Sequence, residues 1–172
     1  HAAAGLRYLL ANLSEVRPEA PIMEFVLGAR PLDIAERLLA AQPRVIGFGV
    51  YIWNVEEITR VIAQLKQIAP EIVVVVGGPE VSYETENQRV CQLADYVVTG
   101  WGEVSFAKLC RAVLSGMRPE ERIVVGEQPQ LTALVLPYDL YTDEDLRQRF
   151  IYVEASRGCP YKCEFCLSSL DK

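Results

Sequence analysis

At 172 residues, with 51% apolar content, a net charge of −6 and a pI near 4.9, the chain has room for one full domain and the opening of a second. The apolar content argues against disorder, the acidic balance disfavours a nucleic-acid partner, and no apolar run approaches the length of a membrane span. Five cysteines, three of them clustered, do not fit a secreted disulfide framework, so the expected compartment is reducing and cytoplasmic.

Leu6, Leu9, Leu10 and Leu13 fall on one face of a first helix, and the apolar run 22–27 reads as a strand. Pro31 sits where a first helical turn tolerates it, ahead of the stripe Ile34, Ala35, Leu38 and Leu39. Residues 45–50 read as a buried strand. Asn54 then offers an N-cap, with Glu57 three residues on as a capping-box variant. The helix so opened buries Ile58, Val61, Ile62 and Leu65 and ends before Pro70. The β-branched run 72–76 has the composition of a central parallel strand covered on both faces.

A weaker helix over 86–93, a strand over 95–99, a helix over 103–114 and a strand over 122–125 complete the alternation. The pattern predicts an α/β domain over 1–126 built on a doubly wound parallel sheet. Prolines, tyrosines and acidic residues then suggest a linker over 127–147, and a strand over 150–154 opens a further unit over 148–172. A doubly wound domain normally opens on a strand, yet this chain opens inside a helix. It therefore reads as a piece cut at both ends.

Ligands of an open parallel sheet bind outside the carboxyl ends of its strands. Three loops point there: Tyr51-Ile52-Trp53-Asn54, Gly77-Gly78-Pro79-Glu80 and Gly100-Trp101-Gly102-Glu103. Glycines at strand ends admit a bulky planar ligand, and the aromatics supply apolar walls. Each loop alone is more often only a tight turn; the three together point to a ligand site without naming the ligand. No G-x-G-x-x-G follows a strand, so a dinucleotide fingerprint is unsupported.

The sharpest motif is Arg157-Gly158-Cys159-Pro160-Tyr161-Lys162-Cys163-Glu164-Phe165-Cys166. Three thiols on one loop suit a soft metal centre and leave one position of a four-iron cluster open. Zinc would require a fourth ligand, and the only histidine, His1, lies at the far end of the chain. Cys91 and Cys110 fall within predicted helices and read as buried small apolar residues.

This cysteine loop resembles the cluster-binding loop of radical S-adenosylmethionine (SAM) enzymes. The blocks Gly47 to Asn54, Val76 to Ser82 and Thr99 to Glu103 resemble the amino-terminal cobalamin-binding domain of one large subgroup, which includes the anaerobic magnesium-protoporphyrin IX monomethyl ester oxidative cyclases. The resemblance implies a flavodoxin-like or Rossmann-like cobalamin domain, followed by the first strand and cluster loop of a truncated radical SAM barrel. It implies a [4Fe–4S] cluster on Cys159, Cys163 and Cys166, SAM on the fourth iron, and Phe165 beside the SAM adenine. Reductive cleavage of SAM by an external one-electron reductant would then give a 5′-deoxyadenosyl radical.

Cobalamin would lie on the strand-end loops, and without a D-x-H-x-x-G motif it would bind with no protein imidazole on cobalt. The implied reaction is methyl transfer or oxidative cyclisation on a small molecule. The alternative is a flavodoxin-like binding module with no catalysis of its own. A methylthiotransferase acting on tRNA is set aside, since that group carries three further amino-terminal cysteines. The cysteine loop of this chain alone is expected to be empty, and either disordered or folded back on the domain.

Overall fold

The valine-rich runs expected as strands pair side by side in chain order. The computed structural model describes residues 1–159, 161 and 163–166. Strands β1 (Val45–Gly49), β2 (Val73–Gly77), β3 (Tyr96–Thr99) and β4 (Ile123–Val125) form a parallel sheet in the order β1-β2-β3-β4. Val45 stands opposite Val73, Gly49 opposite Gly77, and Gly77 opposite Val98, so the strands' carboxyl ends reach the same edge.

Side chains of β2 alternate between the two faces, as the pleat requires. Val74 and Val76 meet Ile62 of α3 (Val55–Ile68) and Val90 and Cys91 of α4 (Arg89–Leu93). On the same side, α2 (Pro31–Leu39) packs Ile34 and Ala35 against Ile46, Val61 and Leu65. Val73 and Val75 face the other way, onto Leu109 and Val113 of α5 (Glu103–Leu114). Helix α1 (Ala4–Ala11) lies on that second side, where Leu13 and partly buried Leu10 join Ala107 and Cys110. Helices on both faces make the fold the doubly wound α/β sheet that the periodicity implied.

Two expected strands do not form. Residues 22–27 run irregularly, because a strand needs a ladder partner and none lies beyond the outer edge of β1 among the described residues. Their apolar side chains are divided: Phe25 packs on the α2–β1 core, Val26 and Leu27 face solvent, and Glu24 turns to Arg7. Residues 150–154 likewise join no ladder. The Tyr152 and Glu154 carbonyls instead accept from the hydroxyls of Tyr141 and Tyr138 at 3.0 and 3.1 Å. The helix expected over 86–93 shortens to α4, preceded by a 3-10 turn at Thr85–Asn87.

The stretch expected as a linker contains α6 (Asp143–Gln148), opened by a capping box between Thr142 and Asp145. It is tied back to α1. Asn12 exchanges hydrogen bonds with the Val135 backbone at 3.0 Å, and Arg7 donates to Asp145 at 2.8 Å. Among the described residues no helix is long and apolar enough to cross a membrane.

Candidate functional site: a crevice at the carboxyl edge of the sheet

The three glycine- and aromatic-bearing loops emerge side by side because their strands end in register. They are also cross-linked. Val50 N donates to Gly77 O at 2.7 Å and Glu80 N to Val50 O at 3.4 Å, joining the first loop to the second. Ser82 donates from Oγ to Gly78 O at 2.9 Å and accepts from Gly100 N at 3.0 Å, joining the second to the third. Ser82 lay within a motif block, but its bridging role depends on a contact 18 residues away in sequence.

In the first loop, Tyr51 stacks on Trp53 with ring centroids 4.7 Å apart and 8° between planes. The Tyr51 side of the pair is partly covered, and burial pushes its phenol above the ordinary value. Ile52 and Trp53 are 75% and 64% exposed, leaving a large apolar surface unused by the core. Asn54 does occupy the N-cap position of α3, but its side chain does not cap the helix. Its Oδ1 accepts from Tyr51 N at 2.8 Å and its Nδ2 donates to Gly49 O at 3.1 Å, closing the loop on itself. The expected capping box is also absent, since Glu57 accepts from Gly28 N at 2.7 Å.

In the second loop the glycines serve the fold. Gly78 has φ +118°, and a Cβ there would stand 2.5 Å from Val50 O. A Cβ on Gly77 would lie 3.3 Å from Val98 O. Pro79 is exposed; Glu80 is half-buried, and its carbonyl accepts from Gln88 Nε2 at 2.7 Å. In the third loop Gly100 has φ +64° and open space where a Cβ would be, whereas a Cβ on Gly102 would meet Leu9 Cδ2 at 2.9 Å. Glu103 is buried rather than turned into the crevice.

Arg157, two residues before the first clustered cysteine, is the partner of Glu103. Its Nη1 approaches Glu103 Oε1 at 2.7 Å as an ion pair, and its Nε donates to Glu154 Oε2 at 2.7 Å. The guanidinium lies over the Tyr8 ring at 4.5 Å and the Trp101 ring at 5.0 Å. Burial and hydrogen bonding, including that to Tyr138, push the Tyr8 phenol well above its ordinary value. Beyond this anchor, Cys159 is half-buried, Cys163 and Cys166 are exposed, and Phe165 is 94% exposed. Among the described residues no three metal-ligating side chains converge, so the three thiols are not gathered into a ligand set. Pro160 and Lys162 lie outside the described residues.

The donor chemistry still separates the candidate groups. Three thiolates with no histidine near them suit iron–sulfur ligation better than zinc. His1 is engaged elsewhere: it stacks on Phe150 and Tyr152, and its Nδ1 meets the Tyr152 hydroxyl at 2.7 Å. The exposed Ile52–Trp53 surface and the open space at Gly100 fit a broad planar ligand held through apolar contact and backbone. A cobalamin without protein imidazole fits this edge.

A second polar cluster was invisible in the sequence. Arg7, within α1 and 4% exposed, pairs with Glu24 at 3.1 Å and Asp145 at 2.8 Å and lies 4.8 Å from the Tyr141 ring centroid. Its partners come from distant segments, and only the Thr142-x-x-Asp145 capping signal in the last of them could have been read locally.

The B12 binding domain family model matches residues 1–110. This chain belongs to the B12-binding domain family. Three relatives extend the comparison of this B12-binding chain. An uncharacterized methyltransferase, PH0819, from Pyrococcus horikoshii is 29% identical over 96% of the chain and 40% of its own length. The cobalamin-dependent radical SAM methyltransferase TokK of Streptomyces tokunonensis is 30% identical over 73% of the chain and 22% of its own length. The 2-(S-pantetheinyl)-carbapenam-3-carboxylate methyltransferase of Streptantibioticus cattleyicolor is 27% identical over 72% and 22%. The chain thus spans well under half the length of each.

Proposed function

We propose that this chain is the cobalamin-binding and cluster-loop portion of a radical SAM methyltransferase acting on a small molecule. The observation that carries the reading is the anchoring of Arg157 on Glu103, which fixes the chain leading to Cys159 against the cofactor edge of a B12-binding domain. The Pyrococcus match takes in 96% of the chain, too much to stop short of Cys159. The names of all three relatives favour methyl transfer over oxidative cyclisation.

In this reading Cys159, Cys163 and Cys166 hold a [4Fe–4S] cluster, with Phe165 beside the SAM adenine. Trp53 and Ile52 cover one part of the corrin, and Gly100 lets the backbone approach another. Asn54 and Ser82 keep the loops from collapsing into the crevice. When bound, the cluster with SAM supplies radical chemistry driven by an external one-electron reductant, and cobalamin supplies the methyl carrier. The acidic chain makes no demand for nucleic acid.

Anaerobic reconstitution of the full-length protein with iron and sulfide tests the cluster. A brown species with a reduced-cluster EPR signal, abolished by Cys163→Ala, is expected. A colourless product would leave a cobalamin-binding module without radical chemistry.

A further inference from the structure

Arg157, two residues before Cys159, is enclosed by two carboxylates and two aromatic rings. Only 9% of its side chain is exposed, and only 8% of that of its partner Glu103. Three of its four partners belong to the B12-binding domain: Tyr8 on α1, Trp101 on the third crevice loop and Glu103 at the start of α5. The fourth, Glu154, holds the chain just before it. Gly158, at φ +76°, then turns the backbone sharply.

We propose that Arg157 is a positioning residue that latches the cysteine loop onto the Trp101–Glu103 loop of the crevice. The two stretches assigned to different cofactors thereby move as one body. The placement of the thiols rests on the cluster reading above; the latch itself rests on the contacts of Arg157. A planar guanidinium suits this role better than an ammonium, because it can stack on aromatic rings while its edge pairs with two carboxylates. Two residues of chain span at most about 7 Å, so fixing Arg157 confines Cys159 to the same edge.

The test is alkylation of this chain by iodoacetamide, read cysteine by cysteine by mass spectrometry. Arg157→Ala is expected to raise the labelling rate of half-buried Cys159 about tenfold, in line with loss of a desolvated cation–π contact. Arg157→Lys should fall between. Buried Cys91 and Cys110 should stay unlabelled in both variants, which separates release of a latch from general unfolding. An unchanged Cys159 rate, or a rise matched by Cys91 and Cys110, would overturn the latch. Adding hydroxocobalamin to the wild-type chain should slow Cys159 labelling further. Absence of that slowing alone would count against the cobalamin-filled crevice and leave the latch standing.

Discussion

Arg157 Nη1 sits 2.7 Å from Glu103 Oε1, across 54 positions of sequence, and joins the start of the cysteine motif to the helix that closes the third crevice loop. Glu103 therefore acts as a fold-internal anchor for the chain leading into the cysteine motif. Replacing it with Gln keeps the shape but removes the charge opposite Arg157. Glu103→Gln is expected to destabilise the chain by roughly 1–3 kcal/mol, the cost of leaving a buried charge with a weaker partner. Thermal melting measures this, and an unchanged melting temperature would show the pair to be incidental.

The crevice glycines should differ in tolerance. A Cβ at Gly78 meets Val50 O at 2.5 Å in a left-handed backbone, whereas one at Gly100 meets nothing within 4 Å. Gly78→Ala is expected to cost roughly 2–3 kcal/mol and Gly100→Ala only about 1 kcal/mol, the conformational penalty alone. Chemical denaturation of the two variants checks the ranking. Gly100→Ala should nevertheless weaken hydroxocobalamin binding, because its methyl group projects into the open space.

Asn54 separates a brace from a cap. Asn and Asp cap helices about equally well. Here the side chain must donate to Gly49 O as well as accept from Tyr51 N. Asn54→Asp should therefore fail nearly as badly as Asn54→Ala, with a loss of about 1–3 kcal/mol. Full stability in the Asp variant would return Asn54 to an ordinary cap.

The Arg7 cluster predicts an acid limb of stability. Burial pushes the Glu24 carboxyl up, but the Arg7 hydrogen bond, the Ala3 amide and the charges of Arg7 and Arg149 outweigh it and hold it below the usual range. Asp145 is likewise held low against its own desolvation by the Thr142 backbone and by Arg7. These folded carboxyls bind protons more weakly than unfolded ones. Their stabilisation is complete above the ordinary carboxylate pKa, about 4, and is lost as pH falls through the depressed values. Melting temperatures between pH 3 and pH 7 should show the fall. Arg7→Ala should cost about 1–3 kcal/mol at neutral pH, since it leaves buried Asp145 and part-buried Glu24 with only Arg149 as a charged partner.

What was legible in the sequence was whatever local composition decides. The β-branched run read over 72–76 formed as strand Val73–Gly77, and the periodic stretches formed as helices Val55–Ile68 and Glu103–Leu114, the first without the side-chain cap expected at Asn54. So did the placing of three loops at one sheet edge, because parallel pairing brings strand ends together. Residues 22–27 and 150–154 misled, because apolar alternation gives a strand only where a neighbouring ladder exists. Arg7 meets Asp145 across 138 positions, and no local pattern foretells such a pair. Thr142-x-x-Asp145 was a readable helix start, masked by its proline- and tyrosine-rich setting.

The sole histidine should be irrelevant to cobalt. His1 is held by Phe150 and Tyr152, so His1→Ala is expected to leave the EPR spectrum of bound cob(II)alamin unchanged. An altered nitrogen splitting would place the imidazole on the metal.

The most direct test of the crevice is titration of hydroxocobalamin into this chain, followed by quenching of tryptophan fluorescence, for the wild type and for Trp53→Ala. Saturable one-to-one binding, weakened about tenfold by loss of the exposed indole, is the predicted result. No saturable quenching in the wild type, or equal affinity in the variant, would contradict a cobalamin resting on the Tyr51–Trp53 loop.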